Sequence, residues 1–337
     1  MSDRSPLLTV VLPARNAEAT IDLALSSIAS QTFDDFTVLA IDDGSTDGTA
    51  ARLHDWAKRD SRITVLSTGG VGLVRALNLG LAQTTTPLLA RMDADDESLP
   101  ERFAVSVQAL SENPDWAGVG TGVEIVRADR PPSPNLQAYG RWLSSLTSPE
   151  LIFRDRFIES PLCHPSMLLR TKALVDAGGW RDGAFPEDWE LWLRLLERGE
   201  KLSCVPHLLH RWTDHDRRLT RTDERYALER HLSLKADYLS RLLAKKRLTL
   251  WGATDTGRTL SKLLSSKALT IARFVELDAR KIGQRIHDVP VIHPDALKLE
   301  DDGHVLSCVA AKGARNDIRA FLTKRGLEEV RDFTCVA

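Results

Sequence analysis

The residues best suited to chemistry in this chain are the acids of Arg91-Met92-Asp93-Ala94-Asp95-Asp96, which close a short apolar run. In extended backbone, positions i and i+2 share a face, so Asp93 and Asp95 can point into one pocket. Paired carboxylates are hard oxygen donors suited to Mg2+ or Mn2+, and an ion held there can grip a diphosphate. The competing reading is a solvated turn before the helix near Pro100, where acidic residues are favourable. A second acidic pair, Glu187-Asp188, opens the amphipathic stretch 185–198 just after Pro186, a residue at home near a helix start.

The elements that must position these groups alternate in type. Residues 7–12 form a near-continuous apolar run of the kind buried strands show, and Pro13 closes it. Ile21, Leu25 and Ile28 follow at helical spacing. Thr37–Ile41 reads as a second strand ending in Asp42-Asp43-Gly44-Ser45, and the pattern continues with helix 47–59, strand 63–66, helix 73–82 and strand 88–92. Such alternation predicts a parallel α/β sheet with right-handed crossovers, whose ligands sit beyond the carboxyl ends of the strands. Pro13–Arg15, Asp42–Ser45 and Asp93–Asp96 all fall at those ends. Residues 130–149 are rich in proline and serine and read as an irregular loop. A long helix over roughly 224–245 ends in Lys245-Lys246-Arg247, after which strand–helix alternation restarts. The expected domains are therefore 1–223, a connecting helix 224–246, and 247–337.

Composition narrows the function classes. A chain of 337 residues with 42% hydrophobic content can bury real cores and suits about two domains. With 45 Lys and Arg against 47 Asp and Glu, a nucleic-acid binder that neutralises phosphates over a broad surface is not expected. Asp3 and Arg4 precede an apolar run too short for a secretory signal, and no window reaches the ~18–20 apolar residues of a membrane span. Cys163, Cys204, Cys308 and Cys335 are scattered without a CxxC, which favours reduced thiols and a cytoplasmic location over a disulfide scaffold or zinc ribbon.

Seven short motifs occur in order: PARNAE (13–18), SQTFDDFTVLAIDDGSTDGT (30–49), GLVRALNLGL (72–81), MDADD (92–96), CHPSMLLR (163–170), PEDWELWLRL (186–195) and HRWTDHDRRLTRT (210–222). Over its first ~220 residues the chain thereby resembles the family-2 glycosyltransferases, inverting enzymes of the GT-A fold. The resemblance implies that Pro13, Ala14 and Arg15 border the nucleotide base and that Asp43 accepts from the base ring nitrogen. It implies that Asp93 is the first D-x-D carboxylate, near ribose and metal, and that Asp95 is the direct metal ligand. His215 corresponds to a histidine that completes the metal site in some relatives, the alternative being an exposed loop histidine among charges. Arg15 departs from the aromatic or small residue often found at its position. Arg75 and Asn78 would line the sugar-nucleotide pocket or a helix surface. Arg217, Arg218 and Arg221 would close over the diphosphate or form a solvated basic face. Asp188 matches the family's general base, the alternative being a helix-start carboxylate favoured by the macrodipole. Glu187 and Trp180 would stand on the acceptor side, and His164 would shape that side or serve as a satisfied structural histidine. Trp180, Trp189 and Trp192 are sugar-platform candidates, although Trp189 and Trp192 at helical spacing are more often core, Trp192 above all. The implied partners are a divalent cation, Mn2+ or Mg2+, a nucleotide-diphosphate sugar with UDP the first choice, and a saccharide or lipid-linked acceptor. An oligomer is left open, and lipid contact would be peripheral, through the basic end of the 224–245 helix at the inner face of a membrane.

Residues 247–337 read as a smaller Rossmann-like α/β unit, since TLWGATDTGRTL (249–260) resembles a dinucleotide-binding strand–turn–helix. Thr254 stands where the middle glycine of G-x-G-x-x-G should let backbone approach a pyrophosphate, which obstructs that approach. Glu276 and Asp278 occupy the place of a ribose-binding acid. Two rival functions follow: a nucleotide-sugar-binding scaffold without turnover, and an NAD(P)-dependent oxidoreductase working through this second domain.

Overall fold

The computed structural model describes residues 6–298 and 303–337; Asp3 and Arg4, on which part of the signal reading rests, lie outside the described residues. The chain divides into two compact units. The first comprises residues up to 152 together with 161–183 and 187–222, and the second comprises 153–160, 184–186 and 223–337. The helix Leu228–Leu242 is thus part of the second unit rather than a separate connector.

The first unit is built on eight strands: β1 (Leu8–Ala14), β2 (Phe36–Asp43), β3 (Ile63–Thr68), β4 (Leu88–Arg91), β5 (Glu97–Ser98), β6 (Trp116–Val126), β7 (Leu168–Arg170) and β8 (Lys201–Thr213). Their order is β3-β2-β1-β4-β7-β6-β8-β5. The first four run parallel, as the strand–helix alternation requires; β7 is antiparallel to β4 and β6, and β6 and β8 are parallel. Every residue of β1 is buried, which accounts for its unbroken apolar sequence. Ile21, Ala24, Leu25 and Ile28 bury one face of helix Ile21–Ala29, each large side chain contributing about 1.5–3 kcal/mol. Gly80 lets helix Leu73–Gln83 lie close to the sheet, because a Cβ there would come within 2.5 Å of Val11 and 3.0 Å of Ile41.

The irregular loop expected over 130–149 is instead largely the helix Pro134–Ser145. Its prolines and serine are start signals rather than breakers. Ser133 caps the helix through its hydroxyl, which accepts from the Leu136 amide, and Pro134 occupies the first turn. The long strands β6 and β8 do not stand out in the sequence, because β6 is interrupted by three glycines and β8 by Pro206.

The second unit has strands β9 (Arg247–Trp251), β10 (Thr270–Val275), β11 (Arg285–Ile286), β12 (Val289–Ile292), β13 (His304–Ser307) and β14 (Phe333–Cys335), in the order β11-β12-β10-β9-β13-β14. All pairings are parallel except the β11–β12 hairpin. Starting from β12, this is the 3-2-1-4-5 sequence of an open doubly wound sheet.

Within this unit Lys235 is buried and donates to the carbonyls of Ile158 at 2.9 Å and Val336 at 2.8 Å. Burial pushes its ammonium down to about 8, with Glu159 opposing the shift. The unfolded chain keeps that proton to about pH 10.4, so between pH 8 and 10 the unfolded state binds more protons and this group adds stability as pH rises. Urea titrations are expected to show wild type gaining on Lys235→Met across that window; a constant difference would remove Lys235 from the response.

Candidate active site

The site grows from the aligned ends of β1, β2 and β4. Val11 pairs with Arg91 and Ala14 with Asp42, so the residues after β4 emerge beside the Pro13–Arg15 loop. Two of the sequence motifs serve to stitch the neighbouring loops together. Asn16 Oδ1 accepts from the Thr46 amide at 2.8 Å, Thr49 Oγ1 from the Ala17 amide at 2.8 Å, and Glu18 Oε2 from the Gly48 amide at 3.0 Å. Pro13 and Ala14 are buried, whereas Arg15 is exposed and reaches toward Gly70.

Asp43 is buried and organises the adjoining turn. Its Oδ1 accepts from the Thr68 hydroxyl at 2.5 Å and the Val71 amide at 2.7 Å, and its Oδ2 from the Gly72 amide at 2.9 Å. Asp43 therefore shapes the 68–72 turn, a structural part that the motif comparison alone does not reveal. Arg75 lies exposed on the helix that follows, while Asn78 makes a two-way bridge to the Trp180 backbone at 2.8 and 2.9 Å.

Asp93, Asp95 and Asp96 each present an oxygen within 4.8 Å of the others. Arg91, itself buried, donates to Asp93 Oδ1 at 2.5 Å, and Arg218 approaches Asp93 Oδ2 at 3.6 Å. Burial opposes ionisation of Asp93, but these two guanidinium groups outweigh it and hold the carboxyl at about 2. Burial and the neighbouring acids push Asp95 up to about 6 and Asp96 up to about 7, against the pull of Arg218. Two like charges 4 Å apart repel by about 4 kcal/mol at an effective dielectric of ~20, so the cluster demands cations. His215 supplies a further donor, its Nε2 lying 2.8 Å from Asp95 Oδ2. Three carboxylates and one imidazole fit a divalent hard cation, and the crowding of acid groups gives that cation a reason to bind.

Asp96 has a second task. Its Oδ1 accepts from the Thr213 amide at 2.8 Å, and its Oδ2 lies 2.9 Å from Nε2 of the fully buried His210. Glu97 and Ser98 pair with Arg211 and His210 as β5 joins β8. This is how a motif near residue 95 meets one near residue 215. His210 and Arg102, which donates to the Arg91 carbonyl at 2.7 Å, were not singled out by the sequence reading; the only signal for His210 is its place at the head of the last motif. Of the three neighbouring arginines, Arg218 faces the acids, Arg221 is engaged with Asp214 at 2.8 Å, and Arg217 is exposed.

In the motifs at 163–170 and 186–195, His164 is buried and its Nε2 accepts from the Trp180 indole at 3.0 Å. Burial, reinforced by Arg91, pushes the imidazole well below its usual value, so it is neutral. The sugar-platform reading is corrected here, and the core reading of Trp189 and Trp192 holds. Trp180 is 2% exposed and Trp189 and Trp192 are 0% exposed, leaving no ring face for a sugar. Trp180 instead orients His164. Glu187 is buried and Asp188 half-buried in the first turn of helix Glu187–Glu197. Arg194 anchors that helix, pairing with Glu190 at 2.9 Å and donating to the Gly179 carbonyl at 2.8 Å.

In the second unit the glycine turn is closed on itself. Thr254 Oγ1 accepts from the Gly257 amide at 3.2 Å, and Glu276 accepts from the Ala253 amide at 3.3 Å and from Lys281 at 3.1 Å. The acid placed to meet a ribose thus serves the turn itself, and the oxidoreductase reading gains no support.

The clearest local test concerns Asp43. Replacing it with asparagine sets an NH2 group against one or more backbone amides in a buried turn, a loss of about 1–3 kcal/mol. The thermal midpoint of ligand-free Asp43→Asn is expected to fall accordingly; an unchanged midpoint would show that the turn does not depend on the carboxylate.

Comparison with known proteins agrees with this architecture. The profile of Glycosyl transferase family 2 matches residues 9–178. An uncharacterized glycosyltransferase of Haemophilus influenzae is 37% identical over 125 residues, covering 37% of this chain and only 39% of that protein. The O-antigen biosynthesis glycosyltransferase WbnJ of Escherichia coli is 25% identical over 193 residues, covering 56% of this chain and 72% of WbnJ. Among solved structures, S. aureus TarS in complex with UDP-GlcNAc superposes with a TM-score of 0.57 at 18% identity, over 76% of this chain and 71% of that one. The mannosyltransferase PcManGT of Pyrobaculum calidifontis, in complex with GDP-Man and Mn2+, gives 0.54 at 17% identity, over 79% and 74%. With the family profile spanning half of the chain and the first unit carrying the GT-A fold, this protein belongs to glycosyl transferase family 2.

Proposed function

We propose that this chain is an inverting, metal-dependent glycosyltransferase that moves a sugar from a nucleotide-diphosphate donor to an acceptor hydroxyl. The observation that carries the reading is the meeting of Asp93, Asp95 and Asp96 with His215 at the carboxyl edge of the parallel strands. Asp93, Asp95 and His215 would hold Mn2+ or Mg2+, which when bound neutralises charge building on the departing diphosphate. The Mn2+ in the PcManGT complex supports this cofactor, and the bound UDP-GlcNAc and GDP-Man of the two neighbours support a nucleotide-sugar donor. UDP is the base to test first. Pro13, Ala14, Arg15, Asp43 and Arg75 form the donor side. The name of WbnJ supports a role in surface polysaccharide or glycoconjugate synthesis, with a saccharide or lipid-linked acceptor. Among the described residues no helix is long and apolar enough to cross a membrane, so a cytoplasmic site of action would involve lipid peripherally.

In the proposed reaction the acceptor oxygen bonds to the anomeric carbon as the bond from that carbon to the diphosphate oxygen breaks. Asp188 takes the hydroxyl proton, while His164 and Glu187 shape the acceptor side. Trp180 acts there through His164. One base and one displacement invert the anomeric configuration.

Two variants test the reading. Asp95→Ala is expected to remove the Mn2+ dependence of donor binding, measured by calorimetry with and without EDTA; normal turnover of that variant in EDTA would overturn the metal assignment. Asp188→Asn keeps size and shape but cannot take a proton. It is expected to bind donor nearly as wild type does while turnover falls by ~10²-fold or more. Near-native turnover, or a product whose NMR couplings show retained configuration, would refute the base assignment.

A further inference from the structure

His215 lies in the loop after β8, and its position needs a cause. β6 and β8 run parallel to their ends, where Val126 pairs with Thr213, and the Asp214 amide donates to the Val126 carbonyl at 2.7 Å. The next residues of the two strands, Arg127 and Asp214, therefore lie side by side. The Arg127 side chain is only 4% exposed, and its guanidinium is saturated by carboxylates. Nη1 donates to Asp214 at 2.8 Å, Nη2 to Asp216 at 3.1 Å, and Nε to Asp129 at 2.9 Å. Asp214 and Asp216 are the residues immediately before and after His215. A single buried group thus grips the side chains on both sides of the imidazole that meets Asp95 at 2.8 Å. Arg221 strengthens one grip by a bidentate contact to Asp214 at 2.8 Å, and Arg130 the other by a contact to Asp216 at 3.3 Å.

We propose that Arg127 is a positioning residue of the metal site, fixing the Asp214–Asp216 backbone so that His215 presents Nε2 to the cation held by Asp95. The proposal rests on the reading of His215 as a metal ligand. Arginine suits the task because its planar fork offers donors in three directions at once, whereas the single ammonium of a lysine cannot reach three separated carboxylates. Groups that orient a metal ligand without touching the metal commonly govern affinity by 10–100-fold. None of Arg127, Asp129, Asp214 and Asp216 belongs to the D-x-D run, and Arg127 lies outside all seven motifs.

The test uses the full-length protein and Mn2+ binding in the presence of UDP, read from the EPR signal of free Mn2+, so that turnover is not needed. Arg127→Gln is expected to weaken Mn2+ by ~10-fold or more, and Arg127→Lys by nearly as much. Asp216→Ala removes one grip at an exposed position and should give an intermediate loss. The loss should also vanish when His215 is already absent: Arg127→Gln/His215→Ala is expected to bind Mn2+ no more weakly than His215→Ala alone. Thermal midpoints of all variants separate a local effect from general unfolding. Additive losses in the double variant, or Mn2+ affinity within twofold of wild type in both Arg127→Gln and Asp216→Ala, would overturn the positioning role while leaving the His215 assignment standing. Unchanged affinity in His215→Ala would overturn that assignment and the proposal with it.

Discussion

Three carboxyl groups crowded at the end of one short strand set the terms for the rest of the first unit. Asp93, Asp95 and Asp96 cannot all carry charge in a half-buried setting without compensation. The protein answers with fixed cations and with strained ionisation. Arg91 and Arg218 keep Asp93 anionic, while Asp95 and Asp96 are pushed upward by burial and by each other. The arrangement resists complete neutralisation by side chains alone, and so keeps an appetite for a divalent ion.

That local demand shapes elements far away in sequence. Arg91 can be buried because its guanidinium donates to Asp93 and to the Met92 carbonyl; Arg218 is placed by the loop beyond β8, which stacks it over Trp212 at 4.6 Å. Asp96 ties the same loop to β5 through Thr213 and His210. The strand pairings β5–β8 and β6–β8 therefore bring the acid cluster and the histidines of β8 and its following loop together as well as building sheet. On the other flank, the Asn78–Trp180 bridge and the Trp180–His164 hydrogen bond link the helix after β3 to the motif at 163–170. The tryptophans that look like sugar platforms in the sequence spend their ring faces on packing, and Trp180 spends its indole N–H on orienting a neutral imidazole.

The second unit keeps the strand order of a dinucleotide-binding sheet but closes its glycine turn with its own side chains. Thr254 caps the helix that a pyrophosphate would otherwise cap, and Glu276 bonds the Ala253 amide. With these two amides engaged, the turn has fewer donors to offer a phosphate. The first unit, with its acids in need of a cation, is where ligand chemistry concentrates.

The amino-acid sequence determined the alternation of strands and helices, the strand-end placement of Asp93 and Asp95, and the family, because each depends on local pattern: buried parallel strands read as apolar runs, and motifs keep their order. It did not show that Pro134–Ser145 is a helix, since the same proline and serine serve as breaker or as cap depending on what the following face can bury. Nor did it reveal β6 and β8, whose glycines and proline weaken the signal of strands stabilised chiefly by pairing with each other. Only tertiary structure decided which histidine meets which acid. Asp95 and His215 stand 120 positions apart, and nothing in either motif encodes the parallel register that ends at Val126 and Thr213. That register, fixed by long-range hydrogen bonding and by ion pairs such as Arg127 with Asp214, is a property of the folded chain rather than of any segment of it.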